Sequence, residues 1–487
     1  MDILYAVSEA YPFAKNGGLG DVAGAYPAQV AARGVDIRVI LPLYDVIPQT
    51  YQNEMELVAN FTLELALQTL YCGLYRLERE GVAYYFVEND VYFRRGKIYG
   101  CRDDDARFAF FSRAVCESLK YMDWLPDIVH CNDWQTALIP FYLQNVYLRH
   151  PDWKHIRTVF TIHNVEYQGN FSYHTLTDVF GLSGALFAEG TVELDGSVNL
   201  MKGAIEIADC LTTVSPAYAA ELKAPDAAGP IAQVIASHEI HGIRNGIPGE
   251  ANPLDSPLAH RPYDANSMAE KVYNKLWMQE RHGLTVSERA PVFGCVSRLL
   301  PRKGFELLVE VLPEFLDQGA QLVVTGDGKQ EILAKLEVLK KRFPVQVGLR
   351  PYSEENAVEV FSGADLFLMP SLEEPCGTAQ MQAMRYGTVP VVRLTGGLRD
   401  TVTPWDEMHP DGCGFVFEAY SAEAMRDAVG RALVAYQNTE AWETLQRRCM
   451  QQDFSWSQPV EEYIMLYRKL LEQRGGADIK QIAEAIP

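Results

Sequence analysis

Arg298 and Lys303, in the run Arg298-Leu299-Leu300-Pro301-Arg302-Lys303-Gly304, and Glu374, in Glu374-Pro375-Cys376-Gly377, are the residues of this chain best suited to do chemistry. Each segment follows a short apolar run (Val292–Val296, then Leu366–Met369) and leads into a helical pattern. Polar residues at the carboxyl ends of buried parallel strands converge on the ligand crevice of an open α/β sheet. Two fixed positive charges facing a carboxylate suit a nucleotide diphosphate leaving a sugar. The turn Thr395-Gly396-Gly397-Leu398 follows a further strand at 389–392 and adds Gly-rich backbone amides to the same sheet.

A second set lies in the first half. Lys15-Asn16-Gly17-Gly18-Leu19-Gly20-Asp21-Val22 follows the first strand and opens a helix, so its amides and the helix dipole can approach an anion. The spacing fits neither the dinucleotide fingerprint nor the Walker loop, and a plain Gly-rich turn with an exposed lysine explains it equally. Asn132-Asp133-Trp134 and Thr161-Ile162-His163-Asn164 each end a buried strand. Either they reach the ligand crevice, or Asp133 caps the next helix and His163 is a satisfied, half-buried histidine. Asp103-Asp104-Asp105 looks like a metal cluster, but it directly precedes an amphipathic helix, and capping with dipole complementation accounts for it; no metal is assigned.

The elements that position these residues alternate strand and helix throughout. The first half carries strand-like runs at 2–7, 36–41, 128–131, 158–162 and 211–214, with helical patterns at 107–121 and 199–208. Runs at 63–67 and 83–87 read as an antiparallel, hairpin-like insertion. Gly and Pro concentrate in 242–249, where a hinge is expected, and the alternation restarts at 291–296, 321–324, 345–347, 365–369 and 389–392. The fold class is α/β with two doubly wound parallel-sheet domains facing a cleft. The boundaries are 1–244, 245–465, and a helix and tail at 466–487 packing back on the first domain. The stretch 440–474 has helical period around Asp453-Phe454-Ser455-Trp456, with Ser455 as N-cap, and the last dozen residues, with Gly475-Gly476, fray.

At 487 residues the chain exceeds one ordinary core. Its 64 acidic against 43 basic residues give a net charge of -21, which argues against nucleic acid as a partner. No apolar run spans a bilayer and no signal segment opens the chain, so a soluble, cytoplasmic protein without membrane contact is expected. The nine cysteines are odd in number and never spaced Cys-x-x-Cys, as in reduced cytosolic proteins, and structural zinc is not expected.

Taken together, KNGGLGDV (15–22), NDWQTAL (132–138), TIHNVEYQG (161–169), ADCLTTVSPAYA (208–219), VSRLLPRKG (296–304), GADLFLMPSLEEPCG (363–377), YGTVPVVRLTGGLRDTV (386–402) and DFSW (453–456) resemble the bacterial glycogen synthases and plant starch synthases. These are retaining glucosyltransferases of the two-Rossmann GT-B type. The resemblance implies glucosyl transfer from ADP-glucose to the non-reducing end of an α-1,4-glucan such as glycogen, with release of ADP and no metal or other cofactor. By matching motif it implies that Glu374, His163, Arg298, Lys303 and Asp133 are catalytic. Lys15, Gly17, Gly18, Asp21, Asn245, Tyr352, Cys376, Gly377, Thr395, Gly396 and Gly397 would bind substrate. Within that set Arg298 and Lys303 would clamp the diphosphate, Asp133 and His163 would hold the glucosyl unit, and Tyr352 would stack on adenine. Asn16, Gln135, Thr378, Pro248 and a short 222–241 region depart from the family pattern, the last two at the hinge. Other readings are a GT-B enzyme with another donor or acceptor, a catalytically silent glucan-binding homologue and a nicotinamide oxidoreductase. The last lacks its Gly-x-Gly-x-x-Gly after the first strand.

Overall fold

The computed structural model describes residues 1–147, 153–249, 251–406 and 408–473. The Gly475-Gly476 segment lies outside them. The chain divides into two compact units, Met1–Asn245 with Trp456–Pro487, and Gly246–Ser455.

In the first unit a nine-stranded sheet runs, edge to edge, Ile240–Gly242, Cys210–Thr213, Arg157–Ile162, Ile128–Asn132, Asp2–Ala6, Asp36–Pro42, Val82–Glu88, Gln68–Arg79 and Glu56–Leu65. The strands through Val82–Glu88 are parallel, and Gln68–Arg79 alone runs antiparallel to both its neighbours. Central strands are apolar on both faces because helices cover both: Ile3, Leu4 and Ala6 are fully buried. Truncating such a leucine to alanine costs about 2–5 kcal/mol. The expected hairpin-like insertion at 63–67 and 83–87 is corrected. Its second run pairs parallel with Asp36–Pro42, and the true hairpin partner of Glu56–Leu65 is the twelve-residue strand Gln68–Arg79.

The second unit holds a six-stranded, all-parallel sheet in the order Val347–Arg350, Gln321–Thr325, Val292–Val296, Leu366–Met369, Val389–Arg393, Phe415–Phe417. The first strand in sequence, Val292–Val296, lies in the middle, and the chain winds outward one way and then the other. The reversal falls between Val292–Val296 and Leu366–Met369, and such a switch point opens a crevice beyond the strand ends. The first unit repeats the device between Asp2–Ala6 and Ile128–Asn132. The third strand of the second sheet starts at Val347 rather than 345, and the closing strand Phe415–Phe417 was not anticipated.

The chain passes between units at Asn245–Gly246 and again at Ser455–Trp456, earlier than the expected 465/466 boundary. The reason is one helix, Ser457–Glu472, whose buried face (Val460, Tyr463, Ile464, Tyr467, Leu470) belongs entirely to the first unit. Ser455 is not its N-cap. Trp456 takes that place without a side-chain bond, and the Ser455 amide donates to Asp453 Oδ1 at 2.8 Å.

Candidate active site residues on each domain

In the second unit, Pro301–Lys303 forms one 3-10 turn after Val292–Val296, closed by Gly304 at φ 74°. A Cβ there would lie 2.0 Å from the Pro370 carbonyl oxygen, so only glycine lets this loop press against the end of the neighbouring strand. That closeness brings Lys303 Nζ to 2.5 Å from Glu374 Oε2, which also accepts the Ser371 hydroxyl at 3.2 Å. Glu374 is buried. A buried carboxylate is tolerable because it is paired and hydrogen-bonded. Arg302 lies beside this pair, its guanidinium pKa lowered by burial and opposed by Glu374 and Glu373. Arg298 is exposed and meets no described acidic side chain.

The glycine turn is fixed to the same loop. Gly397 N donates to Glu374 O at 3.0 Å, and a Cβ on Gly397 would sit 2.3 Å from the Cys376 carbonyl oxygen. Thr395, Gly396, Gly397 and Cys376 are buried around this contact, and Gly377 adopts φ 69° next to it. Tyr352 follows the strand Val347–Arg350, is 46% exposed, and is held by its amide, which donates to Asp327 Oδ2 at 2.9 Å.

In the first unit, Lys15 Nζ pairs with Asp21 Oδ1 at 2.6 Å across the start of the helix Gly18–Ala31. Burial raises the Asp21 pKa and Lys15 pulls it back. Glu9, buried just past the first strand, lies under this loop: its Oε2 accepts the Asn16 amide and, at 3.0 Å, the Gly17 amide. Its Oε1 accepts the Tyr99 hydroxyl at 3.1 Å. Burial raises the Glu9 pKa against these donors. The Gly17 amide, expected to approach the donor's phosphate, is hydrogen-bonded to Glu9 in this structure. Gly18 begins the helix proper.

Asp133 adopts φ 56°, a left-handed conformation that costs a non-glycine residue of order 1–3 kcal/mol. The twist turns its carboxylate sideways, where Oδ1 accepts the His163 amide at 2.7 Å and the Asn164 amide at 3.4 Å. It makes no cap bond to the turn that follows, so the capping alternative is set aside. Burial raises its pKa to about 7, with those amides lowering it and Glu9 raising it further. The His163 ring donates through Nε2 to Asn132 Oδ1 at 2.8 Å, and burial lowers its pKa to about 3. Asn245 is buried where the chain leaves the first unit.

Each unit thus carries its own nominated residues beyond the carboxyl ends of parallel strands: Lys15 and Asp133, and Lys303 and Glu374, follow the strands flanking a switch point, whereas His163, Asn245, Tyr352 and the turn at 395–397 follow strands further out. Glu9, Asn132, Ser371 and Asp327 were not nominated. The signal for Glu9 was its place directly after the central strand, the rule that nominated Asp133. Among the described residues no group of His, Cys, Asp or Glu could hold a metal ion. Asp104 is spent on the Gly100 and Cys101 amides and on Arg107, and Asp103 pairs with Arg95 at 2.9 Å.

Residues 2–237 match the family model of the starch synthase catalytic domain, and residues 279–446 that of glycosyl transferases group 1. The glycogen synthase of Anoxybacillus flavithermus is 40% identical over 479 residues, covering 98% of this chain and 99% of that protein. The chain belongs to the glycogen and starch synthase family. As a member of that family it is a glycosyltransferase with a GT-B fold. The glycogen synthase of Desulfitobacterium hafniense is 41% identical over 475 residues, with 96% and 99% covered. The catalytic domain of starch synthase IV from Arabidopsis thaliana, solved with ADP and acarbose, superposes with a TM-score of 0.90 at 31% identity, covering 97% of this chain and 99% of that one. Sucrose-phosphate synthase from Thermosynechococcus elongatus, at 18% identity and a TM-score of 0.62, shares the fold.

Proposed function

We propose that this glycogen synthase homologue transfers glucose from ADP-glucose to the non-reducing end of an α-1,4-glucan, with retention of configuration. The bond from the sugar C1 to the diphosphate oxygen breaks and a bond from C1 to the acceptor 4-oxygen forms. The acceptor proton leaves with ADP. The observation that carries the reading is the Lys303–Glu374 pair at the switch point of the second sheet, with Arg298 and Arg302 close in sequence. Cations placed where charge develops on a leaving diphosphate do the work that a metal does elsewhere. The ADP and acarbose in the starch synthase IV structure support both ligand classes.

The roles follow from the local chemistry. Arg298 and Lys303 take the diphosphate. Glu374, bonded to Lys303 and Ser371 through one oxygen, orients Lys303 and steadies positive charge on the sugar. A carboxylate so engaged is a poor nucleophile, which favours attack from the leaving-group face over a covalent intermediate. Asp133 and His163 hold the glucosyl unit. Lys15 with Asp21 and the helix start at Gly18 assist the donor, and Asn245, Cys376, Gly377 and the turn at Thr395-Gly396-Gly397 complete the substrate contacts. Tyr352 offers an exposed ring to adenine. The reaction needs no metal or other cofactor, and the protein works in the cytosol, a setting that fits nine unpaired cysteines.

The test is incubation with glycogen and labelled ADP-glucose or UDP-glucose, with and without EDTA. Label is expected to enter glycogen from ADP-glucose, with ADP released and no loss to chelator. Incorporation from UDP-glucose alone would overturn the donor, and activity lost to EDTA and restored by magnesium or manganese would overturn the metal-free mechanism.

A further inference from the structure

Asn132 is fully buried and ends the strand Ile128–Asn132 beside the first-unit switch point. Its Nδ2 donates to the Ala6 carbonyl at 3.0 Å and, more loosely, to the His130 carbonyl at 3.4 Å. Carbonyl oxygens only accept, so the amide nitrogen must face them and Oδ1 must face outward. Outward lies His163 Nε2, at 2.8 Å. An oxygen acceptor in that place requires the imidazole proton on Nε2, and in a neutral ring Nδ1 is then a bare lone pair.

We propose that Asn132 is a positioning residue that holds His163 as the Nε2–H tautomer, presenting Nδ1 as a permanent acceptor for a hydroxyl of the transferred sugar. The assignment of that sugar rests on the proposed transfer; the tautomer does not. Two consecutive residues grip His163 at both ends, Asn132 by the ring and Asp133 by the amide. An acceptor in this place selects a hydroxyl and refuses a phosphate oxygen, whereas an imidazolium would attract the diphosphate into the sugar's position. The titratable groups facing this pair are Asp133, His130, which His163 itself disfavours as a cation, Glu9 acting on Asp133, and Tyr5 beside Asn132. His130 is buried and engaged at both nitrogens, by Tyr467 and Thr161, so it does not compete for Asn132.

The test reads the ring directly. The full chain, deuterated and carrying nitrogen-15 histidine, gives long-range proton–nitrogen spectra between about pH 5 and 8, with His163 assigned from its missing signals in His163→Gln. A pure Nε2–H form that does not titrate is expected. An Nδ1–H form, averaged tautomers, or titration in that range overturns the proposal. In Asn132→Ala the His163 nitrogens are expected to average between tautomers, and an unchanged Nε2–H signal would show that Asn132 is not the device. In Asn132→Asp the carboxylate stabilises an imidazolium, so kcat/KM relative to wild type is expected to fall about tenfold for each pH unit below the new pKa. A ratio flat with pH in a variant whose ring does become charged would overturn the acceptor role. Absence of glucosyl transfer by the wild type would sink the proposed function, and the spectra would still decide the tautomer.

Discussion

Lys303 and Glu374 neutralise each other in a place water barely reaches, and removing either one leaves a buried charge alone. Lys303→Ala is therefore expected to lower kcat by about 2–4 kcal/mol of transition-state stabilisation, with a smaller change in glucan KM. Steady-state kinetics with ADP-glucose and glycogen checks it, and a near wild-type kcat would remove Lys303 from the mechanism. Asp133 supplies a pH signature. Burial raises its folded pKa to about 7, above the unfolded value, so its stabilising contribution is complete below the unfolded pKa and is lost as pH rises through about 7. Asp133→Asn, which mimics the protonated form, should gain stability relative to wild type between about pH 4 and 7 and then level off. Urea unfolding across that range measures the difference, and a difference that shrinks with rising pH would contradict the sign. Sequence made Lys303, Glu374, Asp133 and His163 visible because each joins a reactive side chain to a strand end. Ser371 was not visible in this way, because its role is one bond to the nearby Glu374 carboxylate, and Glu9 was passed over although it meets the strand-end rule, because its bonds to the Asn16 and Gly17 amides and to Tyr99 are made only in the folded chain.

The helix Ser457–Glu472 is tied to the first sheet by a buried chain of polar contacts. Tyr467 OH meets Tyr26 OH at 2.7 Å and His130 Nδ1 at 2.6 Å, and His130 Nε2 meets Thr161 Oγ1 at 2.5 Å. Tyr467→Phe strands two buried partners at once and should cost about 1–3 kcal/mol, read as a shift of the first unit's unfolding midpoint. A neutral result would mean that Tyr26 and His130 find each other instead. Gly304→Ala puts a Cβ against Pro370 at a left-handed φ and should cost of order 1–3 kcal/mol while reducing activity through Lys303. Unaltered stability and kinetics would show that the loop yields freely. Most parallel strands were easy to find because both faces are buried and apolar; the three-residue edge strands Ile240–Gly242 and Phe415–Phe417 were too short to show a run. Gln68–Arg79 escaped although it carries the apolar run Leu70-Tyr71-Cys72-Gly73-Leu74-Tyr75, because polar residues close both its ends and only Cys72, Gly73, Leu74 and Leu77 are buried. The helix boundary at Trp456 escaped because helical period continues across it.

At the scale of the whole molecule, one passage between units was legible and the other was not. Gly and Pro mark Asn245–Gly246, while Ser455–Trp456 carries no breaker and shows itself only by which unit buries the helix that follows. Calorimetry should separate the two: Tyr467→Phe is expected to move one transition and Gly304→Ala the other, and joint movement would mean that the units unfold together. The second unit is in effect an insertion, its ends clasped where Ile247 N donates to Phe454 O at 2.8 Å. That clasp has a consequence for how the protein is made. Tyr26 leaves the ribosome 441 residues ahead of Tyr467. At about 5–20 residues per second, the first domain waits roughly 20 to 90 seconds with His130 and Tyr26 lacking their partner. The domain begun first is thus the last to be completed, and in that interval the nascent chain is most in need of a chaperone.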